Sequence, residues 1–352
     1  LSDDVSWGGI IRFVALFIPI WWSWTGITFY VNRFAIDDLV HRLLIFTQIG
    51  FVAILAMSTV DAFGVLGQQF ILAYVGIRAI LIVLYLRAYR HVPAARPLTR
   101  RFIVGFTLAA AIWLISAFTP PPARYALWAI AIVADLAVPF ISRRFNPLLP
   151  PDVPHMTERY GLFTIIVAGE AFVKVISGAP TTPLAVNQLL LGGLGLVIAG
   201  SLWWLYFDDV AGSPLKARGH APFVWLYSHL PLAIGLTAFG VAIKKVVFIH
   251  GGEALPEKYR LLLGGALVTY LIFVMLIDLV TIRSRQGASP RTRAAWRLGA
   301  AGIIALVALF GAGLMPAVFM AALAAVCVAP VVVDLIVART APEPPHGQHV
   351  SE

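Results

Sequence analysis

The stretch from Glu158 to Gly178 reads ERYGLFTIIVAGEAFVKVISG. Its apolar run, about 20 residues as a helix, is long enough to cross a hydrocarbon core about 30 Å thick. Yet Glu170 and Lys174 stand well inside that run, one helical turn apart. A carboxylate or an ammonium at such a depth is costly unless it is paired, neutralised or turned away from lipid. The pattern therefore predicts a membrane span with a reason to hold charge.

Runs of the same kind recur along all 352 residues. Eleven spans are expected, at about 9–31, 38–59, 66–88, 102–119, 123–142, 158–178, 185–208, 221–246, 259–281, 295–312 and 315–337. The chain is 60% hydrophobic and 12% charged, with a mean hydropathy of +0.88, whereas a soluble domain carries about 25% charged residues. The apolar runs are continuous rather than alternating, which excludes a β-barrel. The fold class expected is all-α, a polytopic transmembrane helix bundle. Loop chemistry separates the spans, as in Thr119-Pro-Pro-Pro-Ala123 and Pro147-Leu-Leu-Pro-Pro-Asp152. A polar, Pro-rich tail, 341–352, is expected to be disordered and cytoplasmic.

The net charge of +9 would point to nucleic acid only if the basic residues formed a patch. They fall instead in short connections: of the 26 Lys and Arg, 18 lie on one side with the C-terminus and six on the other, while Arg12 and Arg78 lie within spans. By the positive-inside rule the C-terminus is cytoplasmic and the loop around 251–257 external. No nucleic-acid partner is expected; the partners are membrane lipids and an unknown small solute or ion. This count starts the chain outside, so one further span is expected upstream. The single cysteine, Cys327, lies in an apolar segment and reads as a small core hydrophobe. No phosphate-cradling loop, His-Glu-x-x-His or paired Cys-x-x-Cys occurs, so neither an enzyme nor a bound cofactor or metal is expected.

The chain also repeats itself. Trp21-Trp22-Ser-Trp24, followed by Asp37-Asp38, matches Trp203-Trp204-Leu-Tyr206, closed by Asp208-Asp209. Gln48 then corresponds to His229, and Ala134-Asp135-Leu136 to Val333-Asp334-Leu335. Spans 1–5 thus pair with spans 7–11, giving half-repeats at 1–157 and 158–340. Span 6 would pair with the helix expected upstream. Repeats of six spans have the same orientation and pack about an axis along the membrane normal.

Four stretches carry a family resemblance: WWSWTGITFYVNRFAIDDLVHRLL (21–44), ERYGLFTIIVAGE (158–170), SLWWLYFDD (201–209) and YSHLPLAIGL (227–236). They resemble the bacterial low-temperature-requirement protein A family of integral membrane proteins. Members usually open with a further span bearing an acidic Glu-Leu-Phe-Phe-Asp-Leu motif, which this sequence lacks. The resemblance implies a multi-pass protein of the bacterial inner membrane with twelve spans in a full-length member. The family name records a growth phenotype, so the resemblance speaks to fold and location and leaves the chemistry open.

Ionisable and polar residues deep in spans are the candidate functional positions. Glu170 lies about 12 Å from the outer end of its helix, and Lys174 can reach it at i,i+4. The pair reads either as a structural ion pair or as a protonatable acid facing a polar cavity. Arg78, near the middle of span 3, needs an acceptor, and Asp135 of span 5 is the acid best placed in the same half. His229, just before Pro231, reads as an interhelical hydrogen-bond partner or a proton relay, and Gln48 suits the same bonding. Asp278 and Asp334 are expected at the cytoplasmic boundary near Arg283 and Arg339. The Trp clusters at 21–24 and 203–204 read as interfacial anchors. At the cytoplasmic rim, Asp37, Asp38, Asp208 and Asp209 read as solvated or salt-bridged to neighbours such as Arg42. The leading expectation is a transporter or permease, with proton coupling. The alternatives are an ion channel and a membrane scaffold or stress-adaptation protein.

Overall fold

The structure, a computed structural model, describes residues 1, 4–34, 36, 38–144, 151–176, 185–211, 213–216, 219–249, 254–283 and 288–340, except for the side chains at 171, 172, 174–176, 209 and 340. Among them are eleven α-helices: α1 Trp7–Arg33, α2 Leu39–Ser58, α3 Gly67–His91, α4 Arg96–Ala117, α5 Ala123–Ile141, α6 Val153–Ile176, α7 Val186–Asp209, α8 Ala221–Val247, α9 Glu257–Val280, α10 Pro290–Phe310 and α11 Pro316–Thr340. Extended backbone pairs only in one isolated bridge, Leu215 with Thr281, among these residues. Ten helices are long and apolar enough to cross a membrane. The other is α6, which carries the Glu158–Gly178 stretch and whose side chains beyond Glu170 are only partly described.

The helix ends follow from local chemistry. Asp38 caps α2 by accepting the His41 N–H at 2.7 Å, and Ser289 caps α10 by accepting from Thr292 at 3.2 Å, with Pro290 at the first helical position. Prolines inside α1, α5, α8 and α11 (Pro19, Pro139, Pro231 and Pro330) are of the kind that membrane helices tolerate. The outward surface is apolar: Phe46 is 75% exposed, and Ile166, Leu309 and Phe310 are exposed with it. Large apolar side chains exposed on membrane-length helices suit lipid and not water.

The helices form two units, Trp7–Arg159 and Tyr160–Glu352 with Leu1–Ser6. In the first, α3 is central: it packs on α1, α2 and α4, while α5 packs on α4 and α1. Its interior holds two apolar clusters. One gathers Tyr30, Phe34, Tyr85, Phe102, Phe106 and Val138; the other gathers Phe70, Tyr74, Ile77, Trp113, Trp128 and Ala131. In the second unit, α9 packs on α7, α8 and α10, while α11 packs on α10 and α7. Tyr270 of α9 ties in α7 by donating to the Leu202 carbonyl at 2.7 Å.

Small residues set the close approach of α8 and α9. A Cβ on Gly235 would stand 2.9 Å from the Ala266 carbonyl oxygen and 3.2 Å from the Tyr270 nitrogen, both backbone atoms that cannot yield cheaply. Gly235→Val is expected to destabilise the protein by about 1–3 kcal/mol through overpacking. Gly265→Val, on an exposed face with open space around it, is the control. Equal thermal melting of the two variants in detergent would contradict this account.

One expectation is corrected by burial. Trp21 and Trp22 are 1% and 2% exposed, their rings 5.7 Å apart, so they are interior residues and not interfacial anchors; Trp203 and Trp204 are exposed. Asp278, two residues before the end of α9, is expected near Arg283 but is held elsewhere. It is 1% exposed and held by arginines of α10.

Candidate functional site

At the seam between the two apolar clusters of the first unit lie Arg78 and Asp135, 0% and 1% exposed. Arg78 is about 17 Å along α3 from its start at Gly67, too deep for its side chain to reach water easily. Its Nε lies 3.4 Å from Asp135 Oδ2, and Tyr74 joins the two. The Tyr74 hydroxyl donates to Asp135 Oδ2 at 2.6 Å and accepts from Arg78 Nε at 2.9 Å, with Nη2 donating to the same oxygen. The guanidinium lies 4.7 Å from the Tyr74 ring centroid and 5.4 Å from that of Phe106, so aromatic faces share its charge.

Four helices build this cluster. Tyr74 and Arg78 are i,i+4 on α3 and face the same way. Asp135 comes from α5, and Phe106 from α4. From α1, Gly26 leaves room for the guanidinium; a Cβ there would stand 3.2 Å from Arg78 Nη1. Arg78 Nη1 and Asp135 Oδ1 are buried without a hydrogen-bond partner among the described residues. The Trp113 indole nitrogen is likewise buried without a hydrogen-bond partner among the described residues. Buried polar atoms left open in this way are rare in proteins and mark positions where polar matter is accommodated.

The second unit holds two polar clusters of its own. His229 of α8 bonds across to α7, its Nε2 being 3.1 Å from the Tyr206 hydroxyl, and its Nδ1 is 2.7 Å from the Trp225 carbonyl. The rings of Tyr160 and Trp225 enclose it at 4.7 and 4.4 Å. His229 is thus an interhelical hydrogen-bonding residue. At the other cluster Asp278 of α9 receives Arg293 through Nε at 2.9 Å and Nη2 at 2.7 Å, and Arg297 through Nη1 at 2.8 Å. Asp334 of α11, 8% exposed, lies within the field of Arg297, Arg283 and Arg293.

The remaining candidates are dispersed. Glu170 is exposed on α6, and the Lys174 side chain lies outside the described residues, as do Asp37 and the Asp209 side chain. Gln48 is 5% exposed with its Oε1 unpartnered among the described residues. At the helix ends Asp38 pairs with Arg87 at 2.6 Å and Asp208 with Arg283, while Arg42 is exposed. The His41 backbone N–H, followed by the Arg87 hydrogen bond and charge, holds the Asp38 carboxyl below the usual carboxylate range. Its stabilising contact is therefore complete above the ordinary carboxylate pKa and fades as pH falls through the lowered folded-state value.

Sequence pattern alone gives no prominence to Tyr74, Arg293 and Arg297, and marks Tyr206 only as part of the repeated motif. Tyr74 sits one turn from Arg78 and Arg293 one turn from Arg297, so i,i+4 spacing around each buried charge is the signal that finds them.

An all-α chain with ten helices able to cross a bilayer, and charges closed inside it, defines a multi-pass integral membrane protein. The family model for bacterial low temperature requirement A protein (LtrA) matches residues 1–338, and the chain belongs to that family. It is also similar to "Uncharacterized protein RA0937" of Rhizobium meliloti (strain 1021), at 28% identity over 263 residues, covering 68% of this chain and 63% of that protein. The match thus spans less than two thirds of that relative's length. No solved structure matches.

Proposed function

We propose that this protein moves a small solute or ion across the bacterial inner membrane, that it is a transporter and not an enzyme, and that the Tyr74–Arg78–Asp135 cluster belongs to its working parts. The observation that carries the reading is a fully buried ion pair between two apolar helices with one donor, Arg78 Nη1, and one acceptor, Asp135 Oδ1, open among the described residues. Burying two charges is a poor way to stabilise a fold, because desolvation offsets the attraction, and ionisable residues inside membrane proteins mark pathways and relays. Asp135 is the member that can take up a proton. Its neutralisation would release Arg78 to another acceptor and give the cluster two arrangements, as a proton-coupled step requires.

Supporting a transporter of two halves, the helix neighbours run in the same order in both units: α3 contacts α1, α2 and α4 as α9 contacts α7, α8 and α10, and α5 meets α1 as α11 meets α7. With the matched sequence motifs, this favours an internal duplication, the C-terminus being cytoplasmic by the distribution of basic residues.

The test is reconstitution into proteoliposomes with an imposed proton gradient and a panel of labelled ions and small solutes. Saturable flux driven by the gradient is expected. Tyr74→Phe, which keeps the ring and removes the bridging hydroxyl, should lower that flux at least tenfold, the loss of about 1.4 kcal/mol that one hydrogen bond to a charged group supplies. Glu170→Gln in the same assay asks whether the second acid shapes the pH profile. Unitary currents would favour a channel, and no flux from well-folded protein would overturn the reading.

A further inference from the structure

Outside the buried cluster, a groove of about 650 Å³ runs along the outer face between α4 and α5. One end carries Arg100 and Arg101, and the walls below are apolar: Val104, Leu108, Ala137 and Ile141. Gly105 sets the floor, its Cα against Val138, where a Cβ would meet the valine methyls at 2.6 and 3.0 Å. From Arg100 to Leu108 the groove extends about 12 Å along α4. Arg143 and Arg144, just past the end of α5, stand at the same end as Arg100 and Arg101, since α4 and α5 are antiparallel neighbours. All four arginines are exposed.

The charge there is one-sided. Between Pro93 and Arg144 the sequence holds a single acid, Asp135, and it is turned inward to Arg78 and Tyr74. An anion at the mouth of the groove therefore meets exposed guanidiniums at Arg100, Arg143 and Arg144, and the α4–α5 segment itself brings no carboxylate there. Free phosphate would use only the mouth and leave about 12 Å of apolar wall without a function. A phospholipid uses both, its phosphate against the arginines and an acyl chain along Val104, Leu108 and Ala137. We infer that the α4–α5 groove is a binding site for an anionic phospholipid of the arginine-side leaflet. Basic pockets between spans select anionic headgroups by this chemistry.

Titrating the purified full chain in detergent with dioleoylphosphatidylglycerol or dioleoylphosphatidylcholine, read by native mass spectrometry, tests it. The glycerol lipid should be retained in clear preference to the choline lipid. Arg100→Gln/Arg101→Gln, both at exposed positions, should weaken that retention about thirtyfold, from ~1 kcal/mol for each basic side chain near an anionic surface. Ala137→Phe, which fills the groove and leaves every charge in place, should weaken it as well. Equal retention of the two lipids, or retention unchanged in either variant, would overturn the site. So would inorganic phosphate competing as well as the lipid, since that would reduce the groove to an anion site. Should the arginine variant fail to fold, Ala137→Phe decides alone.

Discussion

Asp278→Leu is expected to cost about 3–5 kcal/mol of stability, the range for removing one partner of a buried charge pair. The carboxylate is 1% exposed and serves two guanidiniums, Arg293 at 4% and Arg297 at 1% exposure. Arg293 makes a two-pronged contact and Arg297 a single one. With the acid gone, Arg293 keeps its bond to the Ala288 carbonyl at 2.6 Å, but two charges face each other with Asp334 as the nearest remaining acid in their field. The loss should appear as a large drop in melting temperature in detergent and a low yield of folded protein. Asp278→Leu combined with Arg293→Met and Arg297→Met removes the unmatched charges and should recover most of it. Asp38→Asn, at an exposed helix end, should change melting little. If Asp278→Leu melts like wild type, the three-residue cluster is not closed as described.

The contrast between that cluster and the one at Arg78 shows what a sequence displays and what it hides. Membrane spans are legible because the bilayer demands a continuous apolar run, and no competing fold produces ten of them. Arg78 and Asp135 are legible as partners because each stands away from its span ends among apolar neighbours, so a deep guanidinium and a deep carboxylate in one half have few other choices. Arg293 and Arg297 looked ordinary, since basic residues near a span end are what membrane orientation produces anyway, and nothing in the spacing says that two of them turn inward. Sequence proximity suggests Arg283 as the neighbour of Asp278, whereas its partners come from the next helix and Arg283 pairs with Asp208. Trp21 and Trp22 followed the same logic: aromatic residues near a span end suit an interface, and only tertiary packing puts them inside. Tyr74 is one more aromatic on a helix full of apolar side chains until its hydroxyl is seen between two charges.

Asp135→Leu is the variant on which the structural and functional accounts of the buried pair divide. Alone, it strands the Arg78 guanidinium among Tyr74, Phe106 and the α1 backbone at Gly26, at 0% exposure. A loss of about 3–5 kcal/mol is expected, as for other uncompensated buried charges. Arg78→Met/Asp135→Leu removes both charges and fills similar volume, and such replacements are often neutral or stabilising. The double variant should therefore melt at or above the wild-type temperature. Asp135→Asn is intermediate, because an amide oxygen still accepts from Tyr74 while the charge is lost. If the pair only holds the fold together, flux in proteoliposomes should follow melting temperature across this series, and the double variant should transport. If the pair is part of the working mechanism, the double variant should be the best folded of the three and transport nothing. A double variant that is stable and fully active would remove the cluster from the mechanism while leaving the fold as described.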